Sequence, residues 1–502
     1  MQPTATRREW IGLAVLMLPC LLVSMDAHVL NLAVPMIVAD LRPGSAQLLW
    51  IVDGYVFLVA GALLAMGALG DRIGRRRLLL IGVTLFAAAS LAAAFAGSAA
   101  QLIAARVLMG LAGASLMPST LALIRGMFAD RRQRTAAIAV WTAGFSLGGL
   151  LAPVAGGLLL GRFWWGSVFL PALPVALLLL ALGPVLLPEY RHRAAGFDVR
   201  GPALSLLALL AFVYAVKRAA EGGNPAGAGV AVLLGAACAT AFVRGQRRAA
   251  RPMIDPVLFR GRAVRIALLS IALTFFMLYA TQVATAQYLQ WGVGLTALQA
   301  GLWTLPSVLA YLAASALGPI AVRRFRPVAV IGAGLLVVAA GCALLALVAA
   351  GGTGQGDLAT LVAGGVLFSI GLAPVYSVAT EQIVGNAPAP QAGTAGAVAE
   401  TGAELGGALG IALLGSLGVA VYRLAMGGAG VEIPAARRTF GDAVTAAAAI
   451  PGPSGGELLR HARSAFEMSF SAITGTAALI VAVAALIILV GSRTPAVRRG
   501  SL

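Results

Sequence analysis

The chain has 502 residues, 60% of them hydrophobic and only 11% charged, with a mean hydropathy of +0.93. Soluble chains carry about 25% charge, so this composition excludes a string of water-soluble domains and points to a polytopic membrane protein. The formal net charge of +18 does not mark a nucleic-acid partner, because the arginines fall in short segments between apolar runs.

About 20 apolar residues cross a bilayer as one helix. Fourteen such runs are predicted, near 11–35, 48–69, 78–98, 101–124, 136–160, 165–187, 202–219, 226–243, 264–287, 299–321, 328–350, 358–380, 393–421 and 472–491. The seventh and eighth are the weakest, and without them the count is twelve. The first run follows TATRREW with no small-residue cleavage site, so it is expected to stay as a span. With the N-terminus inside, most of the 36 basic residues fall on inner segments, as the positive-inside rule requires for two cytoplasmic termini.

Three blocks follow: an N-terminal six-helix bundle (1–187), two additional spans with a basic cytoplasmic linker (188–262), and a C-terminal six-helix bundle (263–502). The fold class is all-α. Residues 422–471 read as an outer loop, either a linker or a lid, within which ELLRHARSAFEMSF forms a short amphipathic helix.

Four acids fall inside the runs: Asp26, Asp53, Glu400 and Glu404. Each costs about 2.5–3.5 kcal/mol at a helix centre. They must therefore face a wet cavity, share protons, or be neutral. A carboxyl poised near neutrality binds either a proton or a cation, and that competition is antiport. Trp50 lies three residues before Asp53 and Phe57 four after, so one helix face offers an acid between aromatic rings, which suits a lipophilic cation. Glu400 and Glu404 stack at i and i+4. Arg106, in the fourth run, either pairs with Glu404, tunes another acid, or anchors at the interface. His28 reads as a packed polar side chain, and Glu381 as a solvated group at the inner end of its run.

In the fifth run, Gly144, Gly148, Gly149, Gly156 and Gly157 with Pro153 make a thin, kinked helix. It is either a tight packing surface or a pivot. GALGDRIGRRRLLL (67–80) supplies Gly67, Asp71, Arg72, Gly74 and Arg75 in an inner turn. Its glycines allow close helix approach, and Asp71 suits a helix N-terminus or an arginine of a neighbouring span.

That turn resembles the G-x-L-A-D-R-x-G-R-R/K signature of the major facilitator superfamily, with Gly70 where alanine is usual. MDAHVLNLAVPMIVADL (25–41) is similar to the first helix of its fourteen-helix drug:proton antiporters, with His28 in place of threonine. LLWIVDGYVFLVAG (48–61) is similar to their second helix. GGLLAPVAGGLLLGRFWWGSVFL (148–170) resembles their fifth-helix antiporter motif, although Ala152 stands before Pro153 and LPALP replaces I-N-x-P. AVAETGAELGGALG resembles the thirteenth helix of the QacA/SmvA-type multidrug and quaternary-ammonium exporters. The resemblance implies proton coupling and substrate recognition at Asp26, Asp53, Glu400 and Glu404, a role in conformational change for the turn, for Arg106 and for the fifth-helix motif, and a monomer.

The expected function is proton-coupled export of hydrophobic, mainly cationic compounds. Export of a neutral natural product and nutrient symport are the alternatives. Cys20, Cys238 and Cys342 have no metal-type spacing, and no Walker loop, H-E-x-x-H or embedded Ser/His/Asp set is present. The chain is therefore expected to use no metal, cofactor or ATP, and not to be an enzyme.

Overall fold

The computed structural model describes residues 5–43, 45–190, 200–220, 225–248, 261–295, 297–348, 355–388, 392–428, 433–434, 436–437, 440–450 and 453–493. Most of the basic linker therefore lies outside the described residues, as do Arg191, Arg193, Arg251, Arg260, Arg498 and Arg499. Among the described residues the structure is helical with no strand. The helices are α1 (Arg7–Leu41), α2 (Ser45–Ile73), α3 (Arg75–Ala94), α4 (Ala99–Met127), α5 (Arg131–Leu160), α6 (Ala172–Leu186), α7 (Arg200–Ala220), α8 (Pro225–Arg248), α9 (Arg262–Gln287), α10 (Ala297–Ala314), α11 (Leu317–Ala321), α12 (Pro327–Val348), α13 (Gln355–Asn386), α14 (Ala392–Gly428), α15 (Phe440–Ala448) and α16 (Pro453–Arg493). Twelve stretches among the described residues are long and apolar enough to cross a membrane, and α7 adds a shorter one, Ala203–Phe212.

Local chemistry sets the helix ends. The Asp130 carboxylate accepts from Gln133 N–H at 2.9 Å to start α5, and the Ser98 hydroxyl accepts from Gln101 N–H at 3.3 Å to start α4. Gly74, at φ +110°, makes the turn between α2 and α3.

The chain divides into two compact units. One comprises Met1–Ala272, Ser315–Arg323 and Tyr376–Leu405; the other comprises Leu273–Ala314, Arg324–Val375 and Gly406–Leu502. In the first, α1 packs on α5 and α2 on α4. The α7–α8 pair joins this unit through α7, whose Leu206 and Leu210 lie over Gly61 of α2. Few residues of the α8 span are buried (6%), so most of its apolar surface is left uncovered by the described helices.

In the second unit, α12 packs on α16, and Gly341 of α12 lies directly against Gly364 and Phe368 of α13. The segment 422–471 differs from its expected form. Helix α14 continues to Gly428, and ELLRHARSAFEMSF is the first part of the 41-residue α16, not a separate short helix. The apolar side chains explain this. Phe440 and Phe466 pack together with Trp291, Phe470 stacks on Tyr288 at 4.8 Å, and the Tyr422 hydroxyl donates to Ala436 O at 3.1 Å.

Candidate functional site

Two clusters of described polar side chains in the first unit contain most of the expected site residues. The first lies where α1, α2, α4, α13 and α14 contribute side chains. Gly148 of α5 meets the Leu21 carbonyl and Ser24 Cβ, and the Ser24 hydroxyl donates to Phe145 O at 2.6 Å. These contacts fix α1 two residues before Asp26. On α4, Gly110 leaves room for the backbone at Tyr55, which draws α2 across the face that carries Arg106.

Arg106 is 1% exposed. Its Nη1 donates to Asp26 Oδ2 at 2.6 Å, its Nε donates to Ile51 O at 3.0 Å, and its guanidinium lies 4.6 Å from the centre of the Tyr55 ring. A carboxylate, a carbonyl and an aromatic face thus replace the water this cation loses. Arg106 is therefore committed to Asp26, not to Glu404, and Asp26 does not face an open cavity as a free acid. Its side chain is 8% exposed.

Glu400 is held differently. It is 6% exposed, and the Tyr376 hydroxyl donates to its Oε1 at 2.6 Å. Among the described residues no arginine reaches it within 4 Å. Glu404, one turn on, lies with Asp26 and Arg106 inside the Coulombic reach of the Tyr55 hydroxyl, and Cys20 of α1 lies inside that of Glu400. The structure thus brings Asp26, Arg106, Glu400 and Glu404 into one neighbourhood. Trp50 is 39% exposed, with its ring against Gly54 of its own helix. The side chains of His28, Asp53, Phe57 and Pro153 lie outside the described residues.

The second cluster surrounds the α2–α3 turn. Asp71 pairs with Arg75 and accepts from the Thr394 hydroxyl at 3.2 Å. Arg75 is the first residue of α3, so the partner of Asp71 is an arginine of the neighbouring helix, at its N-terminus, as expected. Gly67 lies against Gly393, Thr394 and Ala397 of α14, and a Cβ on Gly393 would overlap the Arg75 guanidinium. Arg72, by contrast, is exposed.

Sequence reasoning missed Glu189. Its carboxylate accepts from Arg76 N–H at 3.1 Å and Arg77 N–H at 3.2 Å, while Tyr190 O accepts from Arg75 N–H at 3.0 Å. The free amides at the start of α3 are satisfied by a strap after α6. Glu381 is a correction. It is 3% exposed rather than solvated, pairs with Arg134 at 3.0 Å and Arg131 at 3.4 Å, and accepts from Gln382 Nε2 at 2.8 Å. An isolated carboxylate could not be buried so deeply, and the α5 arginines supply its counter-charge.

The α5 glycines also divide. Gly144 and Gly148 are the close-approach positions, lying against Met17, Cys20, Leu21 and Ser24. Gly156 is buried and Gly149 half-buried, whereas Gly157 meets nothing within 4 Å. Helix α5 runs unbroken from Arg131 to Leu160.

The family model described as Major Facilitator Superfamily matches residues 16–411. The chain is 41% identical to the multidrug efflux pump LfrA of Mycolicibacterium smegmatis, with 98% of each chain covered. It is 36% identical to the methyl viologen resistance protein SmvA of Salmonella typhimurium, over 94% of this chain and 95% of that one. Its fold matches that of the human organic anion transporter MFSD10 with a TM-score of 0.60 at 18% identity, covering 94% of this chain and 99% of that one.

Proposed function

Because the chain belongs to the Major Facilitator Superfamily, we propose that it is a proton-coupled antiporter that exports hydrophobic, mainly cationic drugs or toxic compounds by alternating access. The observation that carries this reading is Glu400, a buried carboxyl held by a neutral hydroxyl in a chain similar to multidrug efflux pumps. Such a group can take and release a proton without breaking an ion pair. Asp26 and Arg106 act as a fixed, internally neutral pair beside it. Glu404 and Asp53 supply the remaining negative charge for a lipophilic cation, with Trp50 and Phe57 as aromatic contacts.

The protein sits in the bacterial cytoplasmic membrane as a monomer with fourteen spans and both termini inside. Two six-helix bundles, 1–187 and 263–502, flank the additional pair. No cofactor is needed, because the proton gradient is the energy source. If two protons exchange for one monovalent cation, the membrane potential adds about 2.3 kcal/mol per 100 mV.

The test is ethidium efflux from an efflux-deficient bacterium expressing the chain, with and without a protonophore, repeated with Glu400→Gln. Efflux that the protonophore collapses and the variant lacks supports the reading. Efflux indifferent to both removes it. One observation favours a second reading, export of a neutral compound: the Asp26–Arg106 pair cancels one of the buried negative charges. An uncharged dye of similar size that outcompetes ethidium would establish that reading instead.

A further inference from the structure

Tyr376, the partner of Glu400, stands two residues beyond Pro374 in α13. Proline returns no N–H to the preceding turn, so a helix bends most easily there. Tyr376 is 3% and Glu400 6% exposed, so water cannot readily substitute for the hydroxyl.

We propose that Tyr376 is a positioning residue for proton exchange at Glu400: its hydroxyl holds the deprotonated carboxylate. The inference rests on the proton-exchange reading above. A hydroxyl aimed at a carboxylate favours its charged form, and removing the donor favours proton uptake. The proton then comes from water onto the carboxylate, while the phenol keeps its own proton throughout. Among the described residues, the other ionisable groups in this neighbourhood are Cys20 from α1, Asp26 from α1 bound to Arg106 of α4, Tyr55 from α2, and Glu404 on the same helix. Tyr376 provides the hydrogen bond.

The full chain in liposomes, with ethidium counterflow read against pH, tests this. Tyr376→Phe keeps the ring and loses the donor. Its half-maximal pH is expected to rise by about one unit, with the KM for ethidium unchanged. In the Glu400→Gln background the same substitution is expected to move nothing further. In pH-difference infrared spectra, the carboxyl band lost in Glu400→Gln should titrate at higher pH in Tyr376→Phe. Superimposable profiles for Tyr376→Phe and the parent, or an equal shift in the Glu400→Gln background, overturn the proposal. Should Tyr376→Phe fail to fold, difluorotyrosine at 376, a stronger donor of the same shape, is expected to lower the half-maximal pH, and no change would overturn the proposal equally. If ethidium flux in the parent chain ignores pH altogether, it is the proton-exchange reading that fails.

Discussion

Asp26 and Glu400 are both carboxyls sunk among apolar helices, yet one faces a guanidinium at 2.6 Å and the other a phenol hydroxyl at 2.6 Å. Equal distances conceal different chemistry. A carboxylate facing an arginine is tied to that partner, because losing its charge strands the cation. A carboxylate facing a hydroxyl can be neutral or charged, since the hydroxyl tolerates both. Membrane acids are thus distinguished less by depth than by whether a permanent charge stands opposite.

The largest expected effect breaks the locked side. Arg106→Met leaves Asp26 buried and unpaired and should destabilise the protein by about 3–5 kcal/mol, read as a loss of thermal stability in detergent. Adding Asp26→Leu should restore much of it. If Arg106→Met melts like the parent, the contrast between the two acids is wrong. Glu381→Gln is next. It removes the counter-charge of a buried Arg134 and should cost about 3 kcal/mol by the same measurement, less if Arg131, which is largely exposed, draws water to the site.

The α2–α3 turn gives a steric test. Gly393→Ala places a methyl on the Arg75 guanidinium and should cost about 1–3 kcal/mol, with slower drug efflux in cells. The smallest effects come from α5. Gly148→Ala meets the Leu21 carbonyl and should lower stability by about 1–3 kcal/mol, whereas Gly157→Ala should fall within about 0.5 kcal/mol of the parent. Equal effects at both would mean that helix contact does not separate these glycines.

Much of this architecture was legible from residues alone. Hydropathy reveals spans because a helix must bury about 20 apolar residues wherever its neighbours lie. The Asp71–Arg75 pair was within reach because its partners flank one short glycine turn, with Asp71 ending α2 and Arg75 opening α3. Tyr376 was not legible: nothing in GLAPVYSVATEQ says that its hydroxyl meets Glu400, although a tyrosine just after a proline in an apolar run was a signal to follow. Glu381 was misjudged because its partner Arg134 is 247 residues away in sequence. The strap at Glu189 was hidden in the same way, 113 positions from Arg76. Periodicity reports which face is greasy, but not which two greasy helices bring their rare polar atoms together.

Helices α14 and α16 have 37 and 41 residues, or about 55 and 60 Å of axis, against a hydrocarbon slab of about 30 Å. The Ser469 hydroxyl donates to Gly418 O at 2.8 Å, and beyond that clasp α14 continues to Gly428 while α16 begins at Pro453. The extra length is braced by the Trp291, Phe440 and Phe466 rings. Each helix is therefore about twice as long as the slab is thick, so the two carry the chain past the hydrocarbon if they cross it upright.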